Sequence, residues 1–138
     1  MIPPRSPYGL IQEDMWPNEW RILVSCMMLN CTSRKQVEKV IDKFFIKWPD
    51  ANSLLGSPID EISELITPLG FKNRRAKRLL EMSEHYTKNT WNHASELPGV
   101  GEYASRAWEI FIKNRLGNDP PKDGALVVYW NWRKKHGY

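Results

Sequence analysis

Cysteine is scarce: Cys26 and Cys31 are the only two in 138 residues. A disulfide framework needs more, and an iron–sulfur cluster takes four ligands, so neither is expected. Both side chains are read as thiols in a reducing compartment. Histidine is scarce too. His85, His93 and His136 lack zinc-ligand spacing, which argues against a transition-metal site. No apolar run is long enough to span a bilayer, so no membrane partner is expected. The opening Met1-Ile2-Pro3-Pro4-Arg5 has no basic region followed by an apolar stretch and does not read as a signal peptide. Strand-like alternation, repeats and linkers are also missing, and the length fits a single domain over residues 1–138.

What is present is basic and aromatic. The formal charge is +4, the pI is near 9.1, and there are seven tryptophans. A positive balance favours a polyanionic partner without proving one.

Four prolines in residues 1–17 give an irregular arm with room for one short helix. Helical stripes follow. Asn18 caps a helix with Trp20, Leu23, Val24, Met27 and Met28 on one face. Thr32 or Ser33 caps the next, whose stripe runs Val37, Val40, Ile41, Phe44, Phe45, Trp48 until Pro49 stops it. Ser57-Pro58 supplies a cap and a first-turn proline ahead of Ile59, Ile62, Leu65 and Ile66. Pro68-Leu69-Gly70-Phe71 is a turn. A helix from Asn73 to about Lys88 turns Ala76, Leu79, Leu80, Ser83 and Tyr86 inward and Arg74, Arg75, Lys77 and Arg78 outward. Another runs from about Glu102 to Lys113. The last begins near Asp123 and ends near Lys135, with a buried strand over residues 125–132 as its alternative. The fold class is all-α.

Leu97-Pro98-Gly99-Val100-Gly101 is the most informative short string. Two glycines two apart before a helix permit a tight turn with positive φ and a close approach of DNA backbone. A helix N-terminus with free amides binds phosphate. An ordinary turn between packed helices is the plainer reading of the same string.

The string resembles the hairpin of the helix-hairpin-helix DNA glycosylase superfamily, here residues 95–103. The resemblance implies two helical lobes with the active site in the cleft between them. It implies DNA contacts from Pro98, Gly99, Val100 and Gly101. It also implies a K+ or Na+ ion on the backbone carbonyls of Ser95, Leu97 and Val100, with no other cofactor required. The superfamily places an essential aspartate after the hairpin at a helix start, and Asp123 follows Gly101 by 22 residues. A fixed carboxylate stabilises the positive charge that builds on the sugar as an N-glycosidic bond breaks, and it orients the attacking water. A plain helix N-cap is the alternative role for Asp123. Members that also cut the backbone carry a lysine two residues after the second glycine. Tyr103 stands there, and a phenol forms no Schiff base, so the enzyme is expected to be monofunctional.

A wider set of strings is similar to the glycosylase domains of the methyl-CpG-binding thymine glycosylases of vertebrates and their plant and microbial relatives. These are Pro3-Pro4-Arg5-Ser6-Pro7-Tyr8, Leu10-Ile11-Gln12-Glu13, Leu29-Asn30-Cys31-Thr32-Ser33, Pro68-Leu69-Gly70 and Arg75-Ala76-Lys77, with the hairpin and Tyr103. By that resemblance the target nucleotide is flipped into a pocket. Gln12 and Tyr103 read the Watson–Crick edge of a pyrimidine, for which an amide offers a donor and an acceptor. A solvated side chain in the arm is the other reading of Gln12. Cys31 and Phe71 face the gap left by the flipped base, where the vertebrate form has arginine and leucine. Phe71 suits a wedge. Cys31 is too short to fill the gap, which weakens the expectation of strict guanine selectivity. Core packing for Phe71 and a structural thiol for Cys31 are the alternatives. Ala125 stands where the vertebrate form has a lysine. Arg74, Arg75, Lys77 and Arg78 either meet phosphate or form a solvated face.

The expected function is removal of mismatched thymine or uracil from G·T and G·U pairs in base excision repair. A glycosylase for a modified pyrimidine such as 5-hydroxymethyluracil and a non-catalytic DNA-binding module are the competing readings. The expected partner is double-stranded DNA, the expected state a monomer. The expected location is nuclear in a eukaryote and otherwise the cytoplasmic nucleoid.

Overall fold

Apolar residues recur at three- and four-residue spacing from Trp20 onward, and each stripe closes into a helix. The computed structural model describes residues 2–122 and 124–137. Asp123, to which the sequence assigns catalysis, lies outside the described residues. Among those described, every regular element is helical: α1 (Ile11–Met15), α2 (Glu19–Leu29), α3 (Arg34–Glu38), α4 (Ile41–Lys47), α5 (Ala51–Leu55), α6 (Ile59–Leu65), α7 (Lys72–Lys88), α8 (Glu102–Phe111) and α9 (Gly124–Lys135). Short 3-10 turns cover Thr67–Leu69 and Ala94–Glu96. None of the helices is long and apolar enough to cross a membrane.

The strand alternative for residues 125–132 is overturned. Leu126, Tyr129, Trp130 and Arg133 are the buried positions of α9, a spacing that only a helix brings to one face. Three smaller expectations also change, and one left open is decided in favour of Ser33. The stripe from Val37 to Trp48 is buried throughout but divides into α3 and α4, where Val40 N bonds back to Val37 O in a tight turn. Ser33, not Thr32, is the cap of α3. The sequence reading missed α5, although Asp50 announces it by accepting from Ser53 N at 2.8 Å. Ser57 stands one residue too early to cap α6 and bonds Glu61 instead.

Asn18 caps α2 as expected, accepting from Arg21 N at 3.0 Å. This helix buries Trp20, Ile22, Leu23, Val24, Cys26 and Met28, which leaves it apolar nearly all round. It therefore runs through the middle of the fold, with α7 against it on one side and α1 and α8 on the other. Helices α5 and α6 pack on α7 to complete the first lobe. Trp20, Phe44, Phe45 and Trp48 fill it, with ring centroids 5.0 to 6.4 Å apart. In the second lobe Phe111 of α8 meets Tyr129 of α9 at 4.8 Å. Glu19 ties the lobes at the start of α2, accepting from Trp108 Nε1 at 2.8 Å and Tyr86 Oη at 3.1 Å.

The N-terminal arm is fastened rather than loose. The buried Glu13 carboxylate accepts from Leu10 N, Ser6 N and Ser6 Oγ. The phenol of Tyr129 donates to Pro4 O at 2.7 Å. Two ends of the sequence thus meet behind one wall of the cleft.

Candidate active site

The hairpin is built on a type II turn. Val100 N bonds Leu97 O at 3.2 Å, Pro98 presets the first corner, and Gly99 takes φ +79° at the second. A Cβ on Gly99 would also lie 2.9 Å from Met27 Cε, so glycine answers both backbone and packing there. Gly101 then opens α8 with no side-chain cap, and nothing lies within 4 Å of where its Cβ would stand. The space beside Gly101 is therefore open at the positive end of a helix, a fitting seat for a phosphate oxygen. Glu102 in that first turn is offset by Lys122 at 3.4 Å.

Two cavities lie in the cleft, divided by Asn30, Cys31 and Tyr103. The larger, about 590 Å³, is on the hairpin side, lined by Phe71, Arg74, Arg78, Gly99 and Gly101 among others. The smaller, about 520 Å³, is enclosed by Leu10, Gln12, Cys31, Tyr103, Gly124 and Ala125. The smaller one includes Gly124 and Ala125, the two residues that follow Asp123 in the sequence. Gly124 has φ +71°, and a Cβ there would sit 3.6 Å from Tyr103 Cε1.

The structure brings Gln12 and Tyr103 together. Gln12 is 1% exposed, which overturns the solvated alternative. Its amide nitrogen donates to Tyr103 Oη at 2.9 Å and to Cys26 Sγ at 3.4 Å. These bonds fix the amide plane and leave its carbonyl oxygen as an acceptor. Burial pushes the Cys26 thiol up to about 12, against a smaller opposing pull from the Gln12 bond. Cys26 is accordingly a neutral thiol at ordinary pH and not a nucleophile.

Cys31 and Phe71 occupy the two tips that rim the cleft. Both are non-glycine residues in the left-handed region, at φ 58° and 47°. Phe71 is 74% exposed, so it is not core packing. Cys31 is exposed and is not a buried structural thiol; Cys26 is. The apolar ring of Phe71 is held out into solvent on a left-handed backbone.

Of the four basic residues at the start of α7, Arg74 and Arg78 line the larger cavity from exposed positions. Arg75 is not on the outer face. Its guanidinium turns inward to the carbonyls of Met27, Met28, Asn30 and Gly70 and to Thr32 Oγ1. The reading from sequence missed this residue and the thiol of Cys26. Register held the signal for Arg75, which stands one turn before the buried Leu79. Cys26 stands one turn before Asn30 on a helix buried nearly all round, and nothing in its own pattern marks it as a neighbour of Gln12.

Residues 24–132 match the family model of the HhH-GPD superfamily of base excision DNA repair proteins. The chain is 40% identical over 131 residues to a methyl-CpG-binding domain protein 4-like protein of Arabidopsis thaliana, covering 95% of this chain and 29% of that one. It is 36% identical over 115 residues to a thymine-DNA glycosylase of Aeropyrum pernix, covering 78% of this chain and 51% of that one. The chain thus spans about half or less of these relatives. The solved structure of a thermostable thymine-DNA glycosylase superposes with a TM-score of 0.67 at 28% identity, over 72% of this chain and 49% of that one.

Proposed function

This chain belongs to the HhH-GPD superfamily of base excision DNA repair proteins, and from that premise we propose that it is a monofunctional DNA glycosylase releasing mismatched thymine or uracil from G·T and G·U pairs. The observation that carries the reading is the Gln12–Tyr103 bond, set in a cavity that also holds the two residues following Asp123. The names of the relatives support the choice of base, since they are described as thymine-DNA glycosylases.

In the proposed mechanism the hairpin amides hold the backbone and the target nucleotide rotates into the smaller cavity. The Gln12 carbonyl accepts the imide N–H of the pyrimidine, and Tyr103 closes over the ring. Asp123 is given the carboxylate role by its place in the sequence. Its negative charge stabilises the cationic sugar as the C1′–N1 bond breaks, and the electron pair leaves with the base. A water adds to C1′ and gives up a proton, yielding free base and an abasic site. No lysine stands at position 103 to form a Schiff base, so the strand remains intact until alkali is added.

The hairpin offers neutral oxygen donors, the carbonyls of Ser95, Leu97 and Val100. That set suits a hard monovalent cation such as K+ or Na+ rather than a transition metal. Such an ion would add positive charge at the hairpin, favourable to a polyanion, and no chemical step passes through it. The reading is completed by a monomer acting on double-stranded DNA, in the nucleus of a eukaryote and otherwise in the cytoplasmic nucleoid.

The test is single-turnover incubation with duplexes containing G·T, G·U, A·U or 5-hydroxymethyluracil pairs, followed by alkali. Base release by the wild type and not by Asp123→Asn supports the proposal, and the substrate order separates mismatched from modified pyrimidines. Binding without release from any duplex leaves a non-catalytic module. Strand breakage without alkali overturns the monofunctional assignment.

A further inference from the structure

A guanidinium has five N–H groups, and Arg75 matches each to an acceptor. Nε donates to Gly70 O at 3.0 Å. Nη1 donates to Met27 O at 3.2 Å and Met28 O at 3.3 Å. Nη2 donates to Asn30 O at 2.7 Å and Thr32 Oγ1 at 2.6 Å. Among the described residues no carboxylate pairs with it. The acceptors come from the last turn of α2, which holds Met27 and Met28, and from two separate loops: Asn30 and Thr32 flank Cys31, and Gly70 precedes Phe71. The main chain of Arg75 adds a sixth link, since its N–H bonds Phe71 O at 2.9 Å. Phe71 is therefore gripped on both sides by one residue. Gln36 Nε2 braces the same pair of loops through Pro68 O at 3.1 Å.

We propose that Arg75 is a positioning residue that locks the Cys31 and Phe71 loops into a single two-pronged wedge. Left-handed backbone at a non-glycine residue persists only where its surroundings over-determine it. Phe71 has little packing to do that, so the restraint comes from hydrogen bonds: Thr32 Oγ1 donates to Leu69 O at 3.5 Å, and Arg75 supplies the side-chain bonds that reach both loops at once. Two tips hung from one rigid planar fork enter a base stack in fixed register. Independently mobile tips would have to be ordered at the moment of insertion, which weakens the inserted state. Lysine cannot replace the fork, because an ammonium is a point donor with three N–H groups. With all five donors engaged, Arg75 has none left for phosphate.

The wedge role rests on the glycosylase reading; the clamp itself does not. Arg75→Lys and Arg75→Gln are compared with the wild type, with thermal melting as a check on folding. Amide hydrogen exchange is read at residues 31–32 and 70–72. Exchange there accelerates by at least an order of magnitude in both variants while the α2 core stays protected. Exchange unchanged at the two tips overturns the clamp. Base eversion is followed by fluorescence of 2-aminopurine placed beside the target, together with single-turnover release. Both rates fall on the order of tenfold to a hundredfold on paired duplex. The deficit narrows when the target lies opposite an abasic site, where no partner must be displaced. Adding Arg75→Gln to Phe71→Ala costs little more than Phe71→Ala alone. Multiplying losses in that pair, or an equal deficit on both substrates, overturns the wedge. If the wild type releases no base, the glycosylase reading has failed; hydrogen exchange and 2-aminopurine fluorescence then decide the clamp and the wedge on their own.

Discussion

The amide of Gln12 donates to the phenol oxygen of Tyr103 at 2.9 Å, across 91 positions of sequence. One residue comes from the N-terminal arm and the other from the first turn of α8. Breaking the pair leaves a polar group in a buried place, and an unmet donor or acceptor there costs about 1–3 kcal/mol. Gln12→Ala and Tyr103→Phe should each lower stability by about 1–2 kcal/mol in urea denaturation. The double variant should lose less than the sum, because both remove the same bond. Full additivity would mean that the two side chains do not depend on each other.

Gly99 and Gly101 are two residues apart and should respond differently to alanine. At Gly99 the φ of +79° penalises a Cβ, while the Met27 Cε contact can be relieved by a rotation of that flexible side chain. Gly99→Ala should cost roughly 1–2 kcal/mol, the usual penalty of left-handed backbone. Gly101 meets open space at an ordinary φ of −89°, so Gly101→Ala should cost about 0.5 kcal/mol, a capping effect. Equal melting temperatures for the two variants would remove the turn argument.

Alkaline pH should unfold the protein through groups that burial keeps protonated. Burial pushes the Cys26 thiol from its ordinary 9.0, and the Tyr129 phenol from 10.0, each up to about 12. Tyr86 is raised as well, by burial first and then by the charge of Glu19. Unfolded, these groups give up protons at lower pH than they do when folded. Between about pH 9 and 12 the unfolded chain binds fewer protons, and stability falls as pH rises. The melting temperature should drop across that window, with a shallower slope for Cys26→Ala. Iodoacetamide at pH 8 should label Cys31 and spare Cys26 until the protein unfolds. Rapid labelling of both thiols in the folded state would contradict the burial of Cys26.

Salt dependence should separate three neighbouring arginines. Arg74, Arg75 and Arg78 all line the hairpin-side cavity, but the Arg75 guanidinium is turned to protein acceptors, so removing Arg74 or Arg78 should each reduce the slope of log K against log salt by about one. Arg75→Gln should leave that slope unchanged, since its donors are already engaged. Equal slopes for all three variants would place Arg75 on phosphate with the others.

Much of this architecture was legible in the sequence, and the reasons are physical. The stripes of α2, α4 and α7 are periodic enough to define helices, and Leu97-Pro98-Gly99 contains the requirements of its own turn. What stayed hidden depended on long-range geometry. Gln12 reads as a polar residue in a proline-rich arm; only the grip of Glu13 on Ser6 and Leu10 turns it inward. Arg75 differs from Arg74 by 100° of helix rotation, enough to exchange solvent for five acceptors. The short helix α5 was lost because five residues give too little periodicity, although Asp50 supplied its cap. Cys31 and Phe71 could be placed at loop tips, but their exposure was a question only packing could answer.

The link from the Tyr129 phenol to the Pro4 carbonyl gives the protein an order of assembly. An emerging polypeptide exposes Pro4 long before Tyr129 is made, and joining them closes a loop of 125 positions, a slow and late event. A nascent fragment can hold the Gly99 bend and yet possess no finished receptacle for a nucleobase. The arm that carries Gln12 is thereby fastened only once α9 has docked.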